Sequence, residues 1–210
     1  MKNKIVLIII CIFLAIFGLW FKNEKISSKT AIDAIEKSRG IHVDDILFQK
    51  DIDNGQVIFY FRNINDRRQI VSAEFVKKTI LGWKWVYGGG HSIPIYTDTD
   101  QEMQVDESWS HQYLPSTKGT GFGKSPFPML FGVIKNSDIT SIIVRDLKSF
   151  EEQKAEIVKV NNSLVFWFCF ITEKHGGKFT ISAISNEGKE ISVKNIDEDD
   201  YSQKSSSTSK

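Results

Sequence analysis

The hydrophobic and polar positions change their pattern several times along the chain, and the first pattern is a run of seventeen apolar residues at positions 5–21. As a helix this run is about 25 Å long, near the lower limit for crossing the hydrocarbon core of a membrane. Lys2 and Lys4 precede it, and Trp20 and Phe21 close it as interfacial aromatic residues do. Because the small residues of a cleavage site are missing, we expect an uncleaved transmembrane anchor, with a cleaved signal peptide as the alternative.

The next pattern, over residues 30–96, combines one short helix with strands. Thr30 and Asp33 match the start of a capping box, and Gly40 suits the position that ends a helix. Four apolar runs separated by turn residues follow and predict the strands of a β-meander, at 46–48, 57–61, 70–76 and 83–87. A helix of about ten residues is marginal on its own, so we expect it to pack on this meander as a small α+β domain.

The periodic pattern disappears over residues 97–128, where five acidic residues are followed by glycines and prolines. A stretch of that length without periodicity is typical of a linker or a functional loop, so we place a domain boundary there. Residues 129–196 then show regularly spaced turn signals between six apolar runs, as an all-β sandwich does. The run at 164–171 is apolar on both faces and predicts a central strand that is covered on both sides.

The predicted fold is therefore α+β, with an N-terminal transmembrane helix, a small helix-plus-β-meander domain and an all-β, immunoglobulin-like sandwich domain. Residues 1–4 form a cytoplasmic tail, residues 22–29 a stalk, and residues 197–210 a disordered tail rich in serine and lysine. Lysines flank the anchor almost equally on its two sides, so charge alone does not set its orientation. A very short leading segment is easily kept inside, which favours placing the bulk of the chain outside the cytoplasm.

Charge and cysteine content narrow the function classes. The chain carries 27 basic and 26 acidic residues, and this balance gives no general attraction to nucleic acid. Cys11 lies in the predicted anchor and follows three isoleucines, where a lipoprotein cysteine would need small residues. Cys169 remains in the outer part, so we expect neither an intrachain disulfide framework nor a thiolate zinc cluster there. We expect Cys169 to be a core residue.

Two segments resemble a known group of proteins. Residues 74–90 read EFVKKTILGWKWVYGGG, and residues 127–134 read FPMLFGVI. Both are similar to segments of an uncharacterised family of small membrane-anchored extracytoplasmic proteins of Gram-positive bacilli. The resemblance implies an N-terminal anchor or signal and no assigned activity, so it carries over no functional residue.

Aromatic residues near the glycine triplet that ends the first of these segments are candidates for ligand binding. They are predicted to share one strand face and, with further aromatic residues, to line a groove. The alternative is a core face that packs on the helix, which is the more common role of such a pattern. Histidines on either side of the acidic stretch add polar groups. The predicted ligand-binding residues are Trp83, Trp85, Tyr87, His91, Trp109 and His111.

The two histidines could also bind a metal together with Asp98 and Asp100, since imidazole and carboxylate suit divalent metals. Their spacing matches no histidine metal motif, and solvated loop residues are the simpler explanation. A calcium loop counted from Asp98 would need glycine at its sixth position and glutamate at its twelfth, where this chain has Met103 and Trp109. We therefore predict no metal site.

No catalytic or phosphate-binding motif is complete. The glycine-rich segment at 119–125 is one residue short of P-loop spacing, and Pro126 and Pro128 exclude the helix that must follow. Two serines close to His111 match no known nucleophile elbow. We predict no catalytic residue and no cofactor.

These observations favour a non-enzymatic protein that residues 5–21 hold in the membrane and whose outer domains bind another envelope protein or a surface ligand. The alternative is a cell-surface hydrolase with its site in the 97–128 loop. A membrane-bound regulator that senses a signal is a third hypothesis, although four cytoplasmic residues leave it no output domain. We expect no nucleic-acid partner.

Overall fold

The structure, a computed structural model, describes residues 14, 18, 27–65, 68–94, 108–160, 164–172 and 176–200. They form mostly antiparallel β-sheet with little helix. The predicted anchor at 5–21 lies outside the described residues except for Leu14 and Gly18, as do the predicted cytoplasmic tail and most of the stalk. Within the described residues, no helix has the length and apolar character needed to span a membrane.

Within these described ranges, helix α1 (Ala31–Arg39) precedes twelve strands. The strands are β1 (Asp45–Ile52), β2 (Gly55–Asn65), β3 (Arg68–Thr79), β4 (Gly82–Pro94), β5 (Gln112–Leu114), β6 (Met129–Ile134), β7 (Ile139–Asp146), β8 (Glu152–Lys154), β9 (Glu156–Lys159), β10 (Val165–Phe170), β11 (Lys178–Ser185) and β12 (Glu190–Asp197). They form three four-stranded sheets, which we call sheet A (β1-β2-β3-β4), sheet B (β5-β6-β10-β9) and sheet C (β12-β11-β7-β8).

Helix α1 forms where the sequence predicts it. The Thr30 hydroxyl accepts a hydrogen bond from the Asp33 amide at 3.0 Å, and Gly40 ends the helix in a left-handed conformation with φ 63°. The apolar side of the helix packs on one face of sheet A, here called the outer face, in a cluster of Ala31, Ala34, Ile35, Val43, Ile58, Tyr60 and Val76. Helix α1 therefore packs on the β-meander, as the sequence pattern predicts.

The opposite, inner face of sheet A packs on sheet B through phenylalanines. The ring centroid of Phe59 in β2 lies 4.6 Å from that of Phe166 and 5.1 Å from that of Phe168, both in β10. The other face of sheet B packs on sheet C, where Trp167 of β10 and Phe179 of β11 belong to one buried cluster. The layers are thus α1, sheet A, sheet B and sheet C in that order.

Sheet B is covered on both faces, and its strands are apolar accordingly. All six residues of β6 are buried, as are residues 166–169 of β10. Strand β10 lies between β6 and β9 in the sheet. The predicted central strand at 164–171 is therefore confirmed, because a strand between two apolar layers needs apolar side chains in both directions.

Residues 108–128, the described part of the predicted linker or loop, contribute to this core. Strand β5 lies within them and pairs with β6, and Trp109 and Phe127 are buried. Strand β5 has only three residues, too few for an alternating pattern. The described parts of the two predicted domains also share the apolar cluster between sheets A and B. At the other end, β12 extends to Asp197, the first residue of the predicted disordered tail.

Candidate functional site

The predicted ligand-binding residues do not form one surface, because the side chains of β4 change direction within the aromatic run. Phe75 of β3 pairs with Tyr87, and the next residue of β3, Val76, pairs with Trp85, so one extra residue of β4 forms a β-bulge. Trp83 and Trp85 consequently lie on the outer face beside α1, whereas Tyr87 lies on the inner face. The predicted common face of the three residues is wrong.

The other predicted residues come together where the edge strands of the three sheets meet, β4 of sheet A, β5 of sheet B and β12 of sheet C. Residues 92–94, residues 109–111, Val133, Lys135 and Lys194 line a cavity of about 230 Å³ there, which we call the three-edge cavity. Trp109 and His111 thus belong to its wall. His91 precedes the lining residues of β4 and interacts electrostatically with His111 and Lys194.

Hydrogen bonds to neighbouring strands fix the wall that precedes β5. Trp109 forms a β-bridge with Ile134, and the Ser110 amide donates to the Val133 carbonyl at 2.9 Å. The Ser110 hydroxyl accepts from the Val133 amide at 3.1 Å, and the indole of Trp167 donates to the Ser110 carbonyl at 3.1 Å. The wall is therefore attached to sheet B and is ordered by it.

Two lysines bring positive charge to the cavity. The Lys194 ammonium lies 4.6 Å from the ring centroid of Trp109 and donates to the Trp109 carbonyl at 3.3 Å. The Lys135 ammonium donates to the Pro94 carbonyl at 2.6 Å. An ammonium group close to an indole face makes a cation–π contact. Two basic side chains therefore lie at the wall of the cavity.

Both histidines of the cluster are neutral at pH 7. Burial lowers the pKa of His91 to about 4, with smaller contributions from His111 and Lys194. Burial likewise lowers the pKa of His111 to about 4, and the nearby Lys194 ammonium acts in the same direction. Each neutral imidazole offers one donor and one acceptor nitrogen.

Several buried polar atoms of this cluster lack a hydrogen-bond partner within the described part of the chain. Among the described residues, no hydrogen-bond partner is found for either ring nitrogen of His91 or for the indole nitrogen of Trp109, whose side chain is 1% exposed. Leaving a buried donor or acceptor unpaired costs about 1–3 kcal/mol, so most such groups in native proteins have partners. Three of them lie in one cluster of the described residues, which makes this cluster the candidate site.

The donor set favours an anion over a metal ion. Two ammonium groups lie at the cavity, and a nearby ammonium repels a metal cation. The described residues contain no group of three histidine, cysteine or acidic side chains that could hold a metal, while Asp98 and Asp100 lie outside them. The Ser110 hydroxyl accepts a hydrogen bond from the Val133 amide, and among the described residues no base is seen to accept its proton, as an activated nucleophile requires.

A second polar cluster, which the sequence analysis missed, lies on the outer face of sheet A. Glu74 is fully buried, and its carboxylate accepts from the Trp85 indole at 2.6 Å and the Tyr60 hydroxyl at 3.5 Å, with the Arg39 guanidinium at 3.3 Å. Burial raises the pKa of Glu74, and burial with the charge of Glu74 raises the pKa of Tyr60 to about 12. A glutamate inside the apolar run at 70–76 was the signal for it.

The lysines of the three-edge cavity were also missed, and the sequence offers no signal for them. Lys194 lies in a strand of mixed polar and apolar residues, and Lys135 follows an apolar strand as many lysines do. Their common position depends on the packing of sheets that are distant in sequence.

The chain matches no protein-family model, no curated protein and no solved structure. The resemblance of residues 74–90 and 127–134 to membrane-anchored proteins of Gram-positive bacilli therefore stays a prediction.

Proposed function

We propose that this chain is a non-enzymatic, membrane-anchored extracytoplasmic protein that binds a carboxylate group of another envelope protein in the three-edge cavity. Residues 5–21 are the anchor in this proposal. Sheets B and C form its immunoglobulin-like sandwich, and sheet A with α1 forms the membrane-proximal unit. Edge strands of both units supply the binding site, so the ligand contacts all three sheets.

One observation carries the proposal: buried polar atoms without a hydrogen-bond partner among the described residues lie near the lysine ammonium groups of the three-edge cavity. The indole nitrogen of Trp109 is a donor, and each neutral imidazole can present its N–H to an oxygen. A carboxylate supplies oxygen acceptors for such donors and carries the charge opposite to that of a lysine ammonium group.

The size of the cavity indicates what carries the carboxylate. Pockets for whole small molecules usually measure about 300–1,000 Å³, and this one has about 230 Å³. It therefore suits a single acidic side chain or a chain terminus of a larger partner. The hydrolase alternative has weaker support, since the described part of the 97–128 loop offers no base hydrogen-bonded to the Ser110 hydroxyl.

Calorimetry on the full chain in detergent tests the proposal, with a short peptide ending in a free carboxylate as the probe and the same peptide amidated as its control. Lys194→Met should weaken binding of the acid at least tenfold. Lys189→Met is the matched control, because Lys189 also belongs to the β11–β12 hairpin but is exposed and paired with Glu187. Equal binding of acid and amide, or equal affinity of both variants, would refute a carboxylate site.

The anchor has its own test. The full chain should stay in the membrane pellet after alkaline extraction, and protease added outside intact cells should degrade it. A chain found in the alkaline supernatant, or protected from external protease, would contradict this part of the proposal without touching the cavity.

A further inference from the structure

The end of sheet A that carries the β3–β4 turn presents apolar and basic side chains to the outside. We call residues 77–84 the hairpin tip. Ile80 is fully exposed there. Lys77 and Lys78 are exposed as well, and the Lys78 ammonium lies 5.7 Å from the ring centroid of Trp83. An exposed aliphatic residue with lysines and a tryptophan around it is the composition of surfaces that lie at a membrane interface.

The chain path places this tip next to the proposed anchor. The Ser28 amide donates to the Trp83 carbonyl and the Trp83 amide to the Ser28 carbonyl, both at 2.8 Å. A side chain on Gly82 would collide with the Ser28 carbonyl, so this close approach depends on glycine. Six residues separate Ser28 from Phe21, and a fully extended chain between the two spans at most about 25 Å.

Charge at this end is mostly positive. The hairpin tip has three lysines and Lys29 is next to Ser28, whereas the β1–β2 turn and the first turn of α1 have one aspartate each, Asp53 and Asp33. A cavity of about 520 Å³ opens beside the β1–β2 turn and brings Lys124 close to Lys77. Lysines held within the Debye length of an anionic surface, about 8 Å at physiological salt, are attracted to it.

We propose that the hairpin tip lies in the interfacial layer of an anionic membrane, with the Ile80 side chain among the acyl chains and the lysines at the lipid phosphates. The inference rests on the proposed anchor and is independent of the three-edge cavity. It gives the outer fold a fixed orientation, because the anchor and the tip contact the same membrane at two places.

Fluorescence quenching in vesicles tests this orientation on the full chain. Cysteine is introduced at Ile80, or at Ile64 as the matched control, in a Cys11→Ala background, and labelled with an environment-sensitive dye. Cys169 stays unlabelled, because burial raises its pKa to about 12. Ile64 is 52% exposed and belongs to the opposite end of sheet A, about 35 Å away at a strand rise of about 3.3 Å per residue.

In vesicles that contain phosphatidylglycerol and a headgroup-proximal spin-labelled lipid, the dye at position 80 should be quenched at least threefold more than the dye at position 64. Lys77→Glu combined with Lys78→Glu should reduce that difference, as should vesicles of phosphatidylcholine alone. Equal quenching at both positions in a chain that floats with the vesicles overturns the inference and leaves the anchor intact. A chain that does not float overturns both.

Discussion

Two places bury ionisable side chains beside a tryptophan: the three-edge cavity and the polar cluster of Glu74, Trp85, Tyr60 and Arg39, here called the Glu74 cluster. They differ in whether their polar atoms have hydrogen-bond partners. The Glu74 carboxylate has donors from Trp85, Tyr60 and Arg39. The His91 ring, in contrast, has no hydrogen-bond partner among the described residues.

The difference separates a structural role from a binding role. A stable fold pairs its buried polar groups with hydrogen-bond partners, and the Glu74 carboxyl group has such partners although burial raises its pKa. The cavity region leaves the His91 ring and the Trp109 indole without a hydrogen-bond partner among the described residues, which lowers stability unless a ligand pairs with them. Burial of a charged or polar group is therefore less informative about function than the completeness of its partners.

Removing the glutamate should give the largest effect on stability. Glu74→Ala leaves the Trp85 and Tyr60 donors without this acceptor, at about 1–3 kcal/mol each, whereas the 40% exposed Arg39 can turn to solvent. Urea unfolding of the detergent-solubilised chain measures the loss. Glu156→Ala is the control, because Glu156 pairs with Lys50 at the surface and such pairs contribute about 1 kcal/mol or less. Similar losses in the two variants would contradict a structural role for the Glu74 cluster.

Acid should destabilise the fold through the cavity. The pKa values of His91 and His111 are about 4 in the folded chain against 6.5 ordinarily, so the unfolded chain binds protons that the folded chain does not. Each such histidine lowers the free energy of unfolding by about 2 kcal/mol as the pH falls from about 7.5 to about 5, and by more as the pH approaches about 4. Urea unfolding at a series of pH values measures how steeply the free energy of unfolding falls as the pH falls. His91→Phe should make this slope smaller. If the histidines were not buried, the slope would be absent.

Adding a side chain at Gly88, next to the Glu74 carboxylate, should lower stability by an intermediate amount. A side chain on Gly88 would collide with the Glu74 carboxylate and with the Ala73 carbonyl, and overpacking of this kind costs about 1–3 kcal/mol. Gly88→Ala should therefore lower the urea midpoint. Gly121→Ala meets no atom within 4 Å and should change stability by less than about 0.5 kcal/mol. A harmless Gly88→Ala would mean that β4 moves easily away from Glu74.

Replacing the unpaired histidine should have the smallest effect and the opposite sign. His91→Phe removes two unsatisfied nitrogens and keeps a ring next to Phe131, 5.8 Å away between centroids. An apolar group of similar shape at such a site is neutral or stabilising, here by up to about 1 kcal/mol at pH 7. The same variant should bind the carboxylate probe more weakly. If His91→Phe lowered stability and left the affinity for the probe unchanged, His91 would have a structural role and not a binding role.

Local chemistry explains which parts of the fold were predictable. The Thr30 cap, the left-handed Gly40 and the strand at 164–171 each depend on neighbours in sequence or on one periodic pattern. The bulge that separates Trp85 from Tyr87 is a single-residue shift in pairing that no pattern within β4 encodes.

The three-edge cavity was unpredictable for a different reason. Lys194 and Trp109 are 85 residues apart, and only the packing of sheet C on sheet B joins them. The sequence did supply Trp109, His91 and His111 as candidates, because rare side chains near an irregular segment are noticeable. Their lysine partners are common residues at ordinary positions, so only the three-dimensional arrangement distinguishes them.

The pair of hydrogen bonds between Ser28 and Trp83 also has a mechanical consequence. Tension applied through the N-terminal segment reaches the folded part first at these two bonds, which lie at the end of a hairpin and can break one after the other. Helix α1 is next in line, and nine residues hold little helical structure once detached from their sheet. Pulling at the N-terminus should therefore peel the helix away and expose the Glu74 cluster while sheets B and C stay intact.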